Sequence, residues 1–311
     1  MRFIALLVAL CAVPALAGPI PTNTAPQPIS DVACLRKMSL DLTHRGPTAA
    51  ELEKVKTKSA TLEQMADGYL SSAEFSAVVF DWYRREFPPT SVSPAGIDTE
   101  EPARIVRHIV VNDLDFREVM TGNYTVGADG VKSMQVGRPA AGVLSTRHYM
   151  SSAGGLLRRV WAGRFERQWT GIALTAASIP PGPIDLSRDG IANNPACAGC
   201  HVHPVYGIDQ LARFADCWKD DGSYDGACTP PDSMFLTRAG KGLPALGQVM
   251  VESKEWKAQI VNFYFRVFFG RALATSESGY YVAAAKTFET SGFRAKALIK
   301  HLVTSPAYCA R

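Results

Sequence analysis

The stretch from Val251 to Gly270, VESKEWKAQIVNFYFRVFFG, decides the fold class. Trp256, Ile260, Phe263, Tyr264, Val267 and Phe268 recur at intervals of three and four residues, which is one face of a 3.6-residue period. An aromatic stripe at this spacing is a packing face. Ser253 stands three residues before Trp256, where its hydroxyl suits a helix N-cap and the aromatic turns back into the core. The same corner recurs in LSSAEF (70–75) and VTSPAY (303–308).

Working outward from this helix, the rest of the chain reads the same way. Thr48 and Glu51 form a capping box just after the Gly46-Pro47 turn, so a helix begins there. Leu62, Met65, Ala66, Tyr69 and Leu70 share one helical face. Phe75, Val78, Val79, Trp82 and Tyr83 share another, after a break at Ser71-Ser72. Pro102 suits the first turn of a helix that carries Ile105, Val106, Ile109 and Val110. Leu157, Val160, Trp161 and Phe165 form a further stripe, and Ala297, Leu298 and Leu302 the last. Arg158, Arg159, Arg164 and Arg167 read as a solvated helix face, with haem propionates as a second use. Strands are few: Tyr124-Thr125-Val126 and Val131 suit a small hairpin around Ala128-Asp129-Gly130. Residues 172–195 and 217–244 carry little period and read as long loops.

The N-terminus fixes the compartment. Arg2 is followed by an apolar run from Phe3 to Val13, and Ala15-Leu16-Ala17 offers small residues before Gly18. This reads as a secretory signal peptide cut after Ala17. The run is shorter than the roughly 20 residues that a spanning helix needs, and no later stretch is long and apolar enough to cross a membrane. Removal of 17 residues from 311 leaves 294, with a formal charge of +4 reduced by the loss of Arg2. That charge is too small to point to nucleic acid.

Six cysteines remain: Cys34, Cys197, Cys200, Cys217, Cys228 and Cys309. Cys197-Ala198-Gly199-Cys200-His201 has the spacing by which two thiols add to the vinyl groups of a haem while the next histidine takes the iron. With 7 Cys and 6 His in 311 residues, about 0.003 such matches are expected by chance. Three other readings compete. A zinc site would use Cys197, Cys200, His201 and His203, but adjacent ligands close a tetrahedron badly. A thioredoxin-like redox pair expects a βαβ setting. A disulfide between Cys197 and Cys200 would be strained. One covalent haem c on Cys197 and Cys200, with His201 as axial iron ligand, is the favoured reading. The other four cysteines are expected to pair as Cys217–Cys228 and Cys34–Cys309.

On the far side of the iron, His203 is rejected because two residues of extended chain span at most about 7 Å, too little to pass around a haem. Met234, in an irregular loop, and His148 are the candidates, with Met234 favoured. His44, His108 and His301 read as satisfied or surface histidines.

These residues also carry a resemblance. CLRKMSLDLTHRGPTAAELEKV (34–55), FREVMTGNYTV (116–126), NPACAGCHVHPVYGIDQLARFADCW (194–218) and the segment from Phe263 to Tyr308 resemble the planctomycete-type cytochrome C-like proteins, in which a single C-x-x-C-H motif lies within helical domains of unknown function. The family's segment after the motif, DPxGFALENFD, stands here as HPVYGIDQLARFAD, and Cys217, Cys228 and Cys309 fall outside its pattern. The resemblance implies a haem and a helical setting, and no particular reaction.

The expected protein is therefore mainly α: helical bundle-like modules around one c-type haem, with long irregular loops and few or no strands. Its organisation reads as a signal peptide (1–17), a flexible lead-in (18–30), an N-terminal helical module (31–135), a haem-binding segment (136–240) and a C-terminal helical module (241–311). The expected function is that of an exported monohaem c-type cytochrome transferring electrons in the periplasm. A peroxidase-like haem enzyme and a haem-stapled binding or assembly component are the alternatives. The redox partner protein and the oligomeric state stay open.

Overall fold

The computed structural model describes residues 28–88, 96–151, 157–173, 187–274 and 277–310. The expected signal peptide lies outside them, as do most of the expected lead-in and residues 174–186 of the first long loop. The fold is mainly helical. In chain order the helices are α1 (Asp31–Thr43), α2 (Ala49–Lys56), α3 (Leu62–Leu70), α4 (Ala73–Glu86), α5 (Glu101–Val111), α6 (Glu118–Thr121), α7 (Arg147–Met150), α8 (Leu157–Thr170), α9 (Arg188–Asn193), α10 (Pro195–His201), α11 (Ile208–Ala212), α12 (Gly242–Glu252), α13 (Lys254–Phe269), α14 (Ser278–Thr290) and α15 (Ala295–Val303). Two antiparallel hairpins interrupt them: β1 (Tyr124–Val126) with β2 (Lys132–Met134), and β3 (Asp232–Phe235) with β4 (Arg238–Lys241).

The helix ends follow from local chemistry. Thr48 and Glu51 satisfy each other's backbone N–H groups at the start of α2, as the sequence predicts. Thr61 and Gln64 do the same for α3. The three serine corners are also real. Ser72 and Ser253 accept from the backbone N–H of Phe75 and Trp256, and Ser305 accepts from Tyr308. All three aromatics are fully buried. The third corner makes a turn, not a helix.

Helix α13 lies at the centre. Trp256, Ile260, Phe263, Tyr264 and Phe268 are buried, and so are Gln259, Val261 and Phe265 on its other sides. Its rings meet those of other elements edge-on or tilted: Trp82 against Tyr264 and Phe268, Tyr83 against Phe263, Phe116 and Phe288 against Trp256. The Tyr83 hydroxyl donates to that of Tyr264 at 2.9 Å, which satisfies a polar group deep in this core. One contiguous buried cluster draws on residues from Cys34 to Tyr308.

Three sequence expectations are corrected. Val160 does not join the α8 stripe and is exposed, whereas Trp161 and Phe165 are fully buried. The residues from Ser187 are helical, with the Ser187 hydroxyl capping α9. Residues 217–244 are less irregular than expected, because 232–241 form a hairpin. Its turn places Leu236 and Thr237 at positive φ, a conformation that hairpins usually assign to Asn or Gly, so the usual turn signal is missing. Met234 is therefore in a strand and not in a loop.

Both expected disulfides are present, Cys34–Cys309 and Cys217–Cys228. They are what an oxidising, exported setting permits. The first fastens α1 to the chain end, where Lys37 Nζ donates to the Tyr308 carbonyl and the Tyr308 hydroxyl donates to Asp41. Among the described residues no helix is long and apolar enough to cross a membrane. The two bridges close loops separated by 275 and 11 residues, and the longer loop constrains the unfolded chain more. Replacing Cys34 and Cys309 by serine is expected to cost about 5–6 kcal/mol, against about 2–3 kcal/mol for Cys217 and Cys228. Urea unfolding of the two double variants checks the order, and equal losses would contradict it.

Candidate functional site

Cys197, Cys200 and His201 lie on α10. Pro195 opens this helix, and the Asn194 side chain caps it by accepting from the Ala196 N–H. None of its residues is buried, in contrast to the helices around α13. Its cysteines are half-buried and unpaired, so the disulfide reading of the motif is not realised here. On a helix, residues three apart share one face, so both thiols stand on the same side of α10.

After His201 the chain turns sharply and returns. Gly207 makes this possible. A Cβ at Gly207 would stand 2.6 Å from the His203 carbonyl oxygen and 2.9 Å from that of His201, closer than carbon can approach. Gly207 N–H also donates to the His203 carbonyl at 2.8 Å. Helix α11 begins immediately afterwards, and Asp209 in its first turn faces back to the motif.

There Asp209 Oδ1 lies 2.9 Å from His201 Nδ1 and 2.8 Å from Arg159 Nε, while its Oδ2 accepts from Arg159 Nη2 at 3.2 Å. An ionised carboxylate held by a guanidinium only accepts hydrogen bonds, so Nδ1 of His201 carries the hydrogen and Nε2 is left as the basic nitrogen. A cleft of about 460 Å³ opens beside this contact, lined by His201, Val202, Arg158, Arg159, Arg213 and Asp216 among others. Arg158 pairs with Asp216 at 3.2 Å across it. Burial raises the Asp216 carboxyl, and Arg158 and Arg213 oppose that shift.

The four arginines of α8 are not the single solvated face that the sequence suggests. Arg158 and Arg167 are exposed, but Arg159 reaches Asp209. Arg164 lies over the Tyr149 ring at 4.5 Å and donates to the Tyr149 carbonyl.

His203 is held within its own loop. Its Nδ1 accepts from the backbone N–H groups of Val205 and Tyr206, both at 3.2 Å, and its ring stacks on Tyr206. His148 is buried, and its Nε2 lies 3.1 Å from the Phe87 carbonyl. That carbonyl only accepts, so Nε2 of His148 is committed as a donor. Met234 lies on the outward face of β3. The hairpin itself sits next to the motif's return loop, because Leu236 N–H donates to the Val205 carbonyl and the Ser233 hydroxyl donates to the Gln210 carbonyl. His44 ends α1, and His108 is paired with Asn112 on the surface. His301 contacts Thr287 through Nδ1, but its Nε2 is buried without a partner.

The sequence points to a metal-binding protein, and the structure corrects that for any site built from the chain's own side chains. Among the described residues no group of three or more His, Cys, Asp or Glu is placed to hold a metal ion. The zinc arrangement of Cys197, Cys200, His201 and His203 is not assembled, because His203 is turned into its own loop.

One feature of α8 escaped the sequence reading. Of the buried side-chain nitrogen and oxygen atoms that lack a hydrogen-bond partner among the described residues, five lie on this helix: Trp161 Nε1, Arg164 Nε, Gln168 Oε1 and both carboxylate oxygens of Glu166. Glu166 is fully buried, and burial pushes its carboxyl up to about 7. It stands two turns from Arg159 on the same side of the helix. Gly163 lies between them, and a Cβ there would meet nothing within 4 Å.

The raised carboxyl has a consequence for stability. At pH 4 Glu166 is mostly protonated in both states. As pH rises, the unfolded chain gives up the proton from about 4.5 and the folded one only near 7. Stability therefore falls across that interval and levels off above it. Glu166→Gln is expected to abolish this loss, making the protein more stable than wild type by roughly 3 kcal/mol at pH 8 and no more stable at pH 4. Chemical denaturation at the two pH values measures the difference. A variant weaker than wild type at pH 8 would show that the carboxylate is satisfied.

No protein-family profile, no curated protein and no solved structure matches this chain.

Proposed function

We propose that the chain is an exported monohaem c-type cytochrome that transfers electrons in the periplasm, with one haem attached through Cys197 and Cys200. The supporting observation is the state of His201: Nδ1 is held by Asp209, so Nε2 is the free, basic nitrogen of an oriented ring. A haem brings four equatorial nitrogens of its own. It therefore asks of the chain only thiols and one imidazole, which the absence of a multi-donor metal cluster does not bear on.

The residues present fit such a group. Four cysteines are consumed in disulfides and the two of the motif are not. Both share a face of a helix that has no fully buried residue, and Val202, exposed beside them, offers apolar surface. Arg158 and Arg213 in the adjoining cleft would hold the two haem carboxylates. When bound, haem c supplies a one-electron ferric/ferrous couple. In this reading Cys197 and Cys200 fix the group, His201 ligates it, and Asp209 and Arg159 hold His201 in place. The resemblance to the planctomycete-type cytochrome C-like proteins belongs to the same proposal. So do the signal peptide, with cleavage after Ala17, and a redox protein as the partner.

The mass of protein produced with a c-type haem maturation system tests the proposal. The mature chain is expected to carry about 0.6 kDa beyond its polypeptide and to keep its colour after denaturation. Cys200→Ala is expected to lose most of it. Colourless protein of polypeptide mass, obtained where a control cytochrome matures, rejects the proposal. Rapid reaction of a high-spin ferric form with peroxide would replace electron carriage by a haem enzyme.

A further inference from the structure

Asp209 is more than a neighbour of the motif. It is eight residues from His201 and returns to it only because Gly207 lets the loop close. One of its oxygens serves both His201 Nδ1 and Arg159 Nε, and the other serves Arg159 Nη2. Such a carboxylate does two things to an imidazole. It selects the tautomer with hydrogen on Nδ1, and it draws that hydrogen toward itself, so that Nε2 becomes a stronger donor. Arg159 comes from α8, whose Trp161 and Phe165 are buried in the core. Asp209 is thereby fixed to the rigid part of the molecule, and the ring angle of His201 is set by the fold.

We infer that Asp209, clamped by Arg159, is the positioning residue that makes His201 an electron-rich ligand and biases the bound iron toward its ferric state. This inference rests on the haem reading above. A stronger donor stabilises the higher charge on iron, so the couple lies lower than it would with an unassisted histidine. The chain then gives up its electron readily and needs a reducing partner to load it.

Midpoint potentials of the holoprotein test this. Three variants are compared with wild type: Asp209→Asn, which keeps an acceptor and removes the charge; Asp209→Glu, the conservative replacement; and Asp216→Asn. The last removes one carboxylate from the same cleft, but Asp216 is bound to Arg158 and not to His201. Asp209→Asn is expected to change the ferric-to-ferrous preference tenfold or more, a rise of about 59 mV or more for one electron. Asp209→Glu is expected to recover most of it, and Asp216→Asn to shift by less than half as much. Equal shifts in Asp209→Asn and Asp216→Asn, or none in the former, would overturn the inference while leaving the haem reading intact.

A second measurement uses the haem-free chain, where long-range proton–nitrogen NMR reads the His201 tautomer directly. Hydrogen on Nδ1 in wild type, and a tautomer mixture in Asp209→Asn, supports the positioning role. Hydrogen on Nε2 in wild type rejects it. Should the mature protein prove to carry no haem, the cytochrome proposal fails by itself and the tautomer still decides what Asp209 does.

Discussion

The burial of α13 is the constraint on which the rest depends. A sixteen-residue helix that hides Trp256, Phe263, Tyr264, Phe265 and Phe268 on more than one side needs neighbours almost all around it. Each such side chain contributes roughly 2–3 kcal/mol when removed from water. Helices α4, α8, α12, α14 and α15 take their places against it. The Cys34–Cys309 bridge then ties the first helix to the chain end around the same core.

The motif is mounted on this body and not built into it. Helix α10 buries no residue, and its tie to α8 runs through Asp209. Two groups from two helices, the His201 imidazole of α10 and the Arg159 guanidinium of α8, share the Asp209 carboxylate of α11 there. The glycine at 207 and the Arg159 clip together turn a short, exposed helix into a defined site. A bidentate arginine suits this role because its planar fork fixes the carboxylate in orientation as well as position.

Helix α8 serves two surfaces with different demands. Phe165 meets Phe235 of the β3–β4 hairpin edge-on, and the Trp169 indole donates to the Tyr149 hydroxyl. Elsewhere on the helix Glu166 sits buried with neither oxygen paired, and Gly163 leaves open space. A buried, unpartnered carboxylate costs stability, and natural folds concentrate such costs near functional sites. Glu166 shares its side of α8 with Arg159, on the path toward the motif.

What the sequence determined by itself was whatever depends on near neighbours in the chain. The helical class followed from apolar period at α3, α4, α5 and α13, and the caps at Thr48, Ser72 and Ser253 from side chains that bond backbone three residues away. The disulfide pairs were legible because so few combinations remained once Cys197 and Cys200 were set aside. The tertiary structure alone decided which polar groups meet across the chain. Arg159 reads as a surface residue in sequence, yet it holds Asp209 fifty residues later. His148 reads as a candidate ligand, and only the fold sets its Nε2 against the Phe87 carbonyl. Met234 reads as a loop residue, because nothing in Leu236-Thr237 announces the turn that makes it a strand. Hydrogen bonds between distant segments are directional and short, and no periodicity in the chain encodes which donor will face which acceptor.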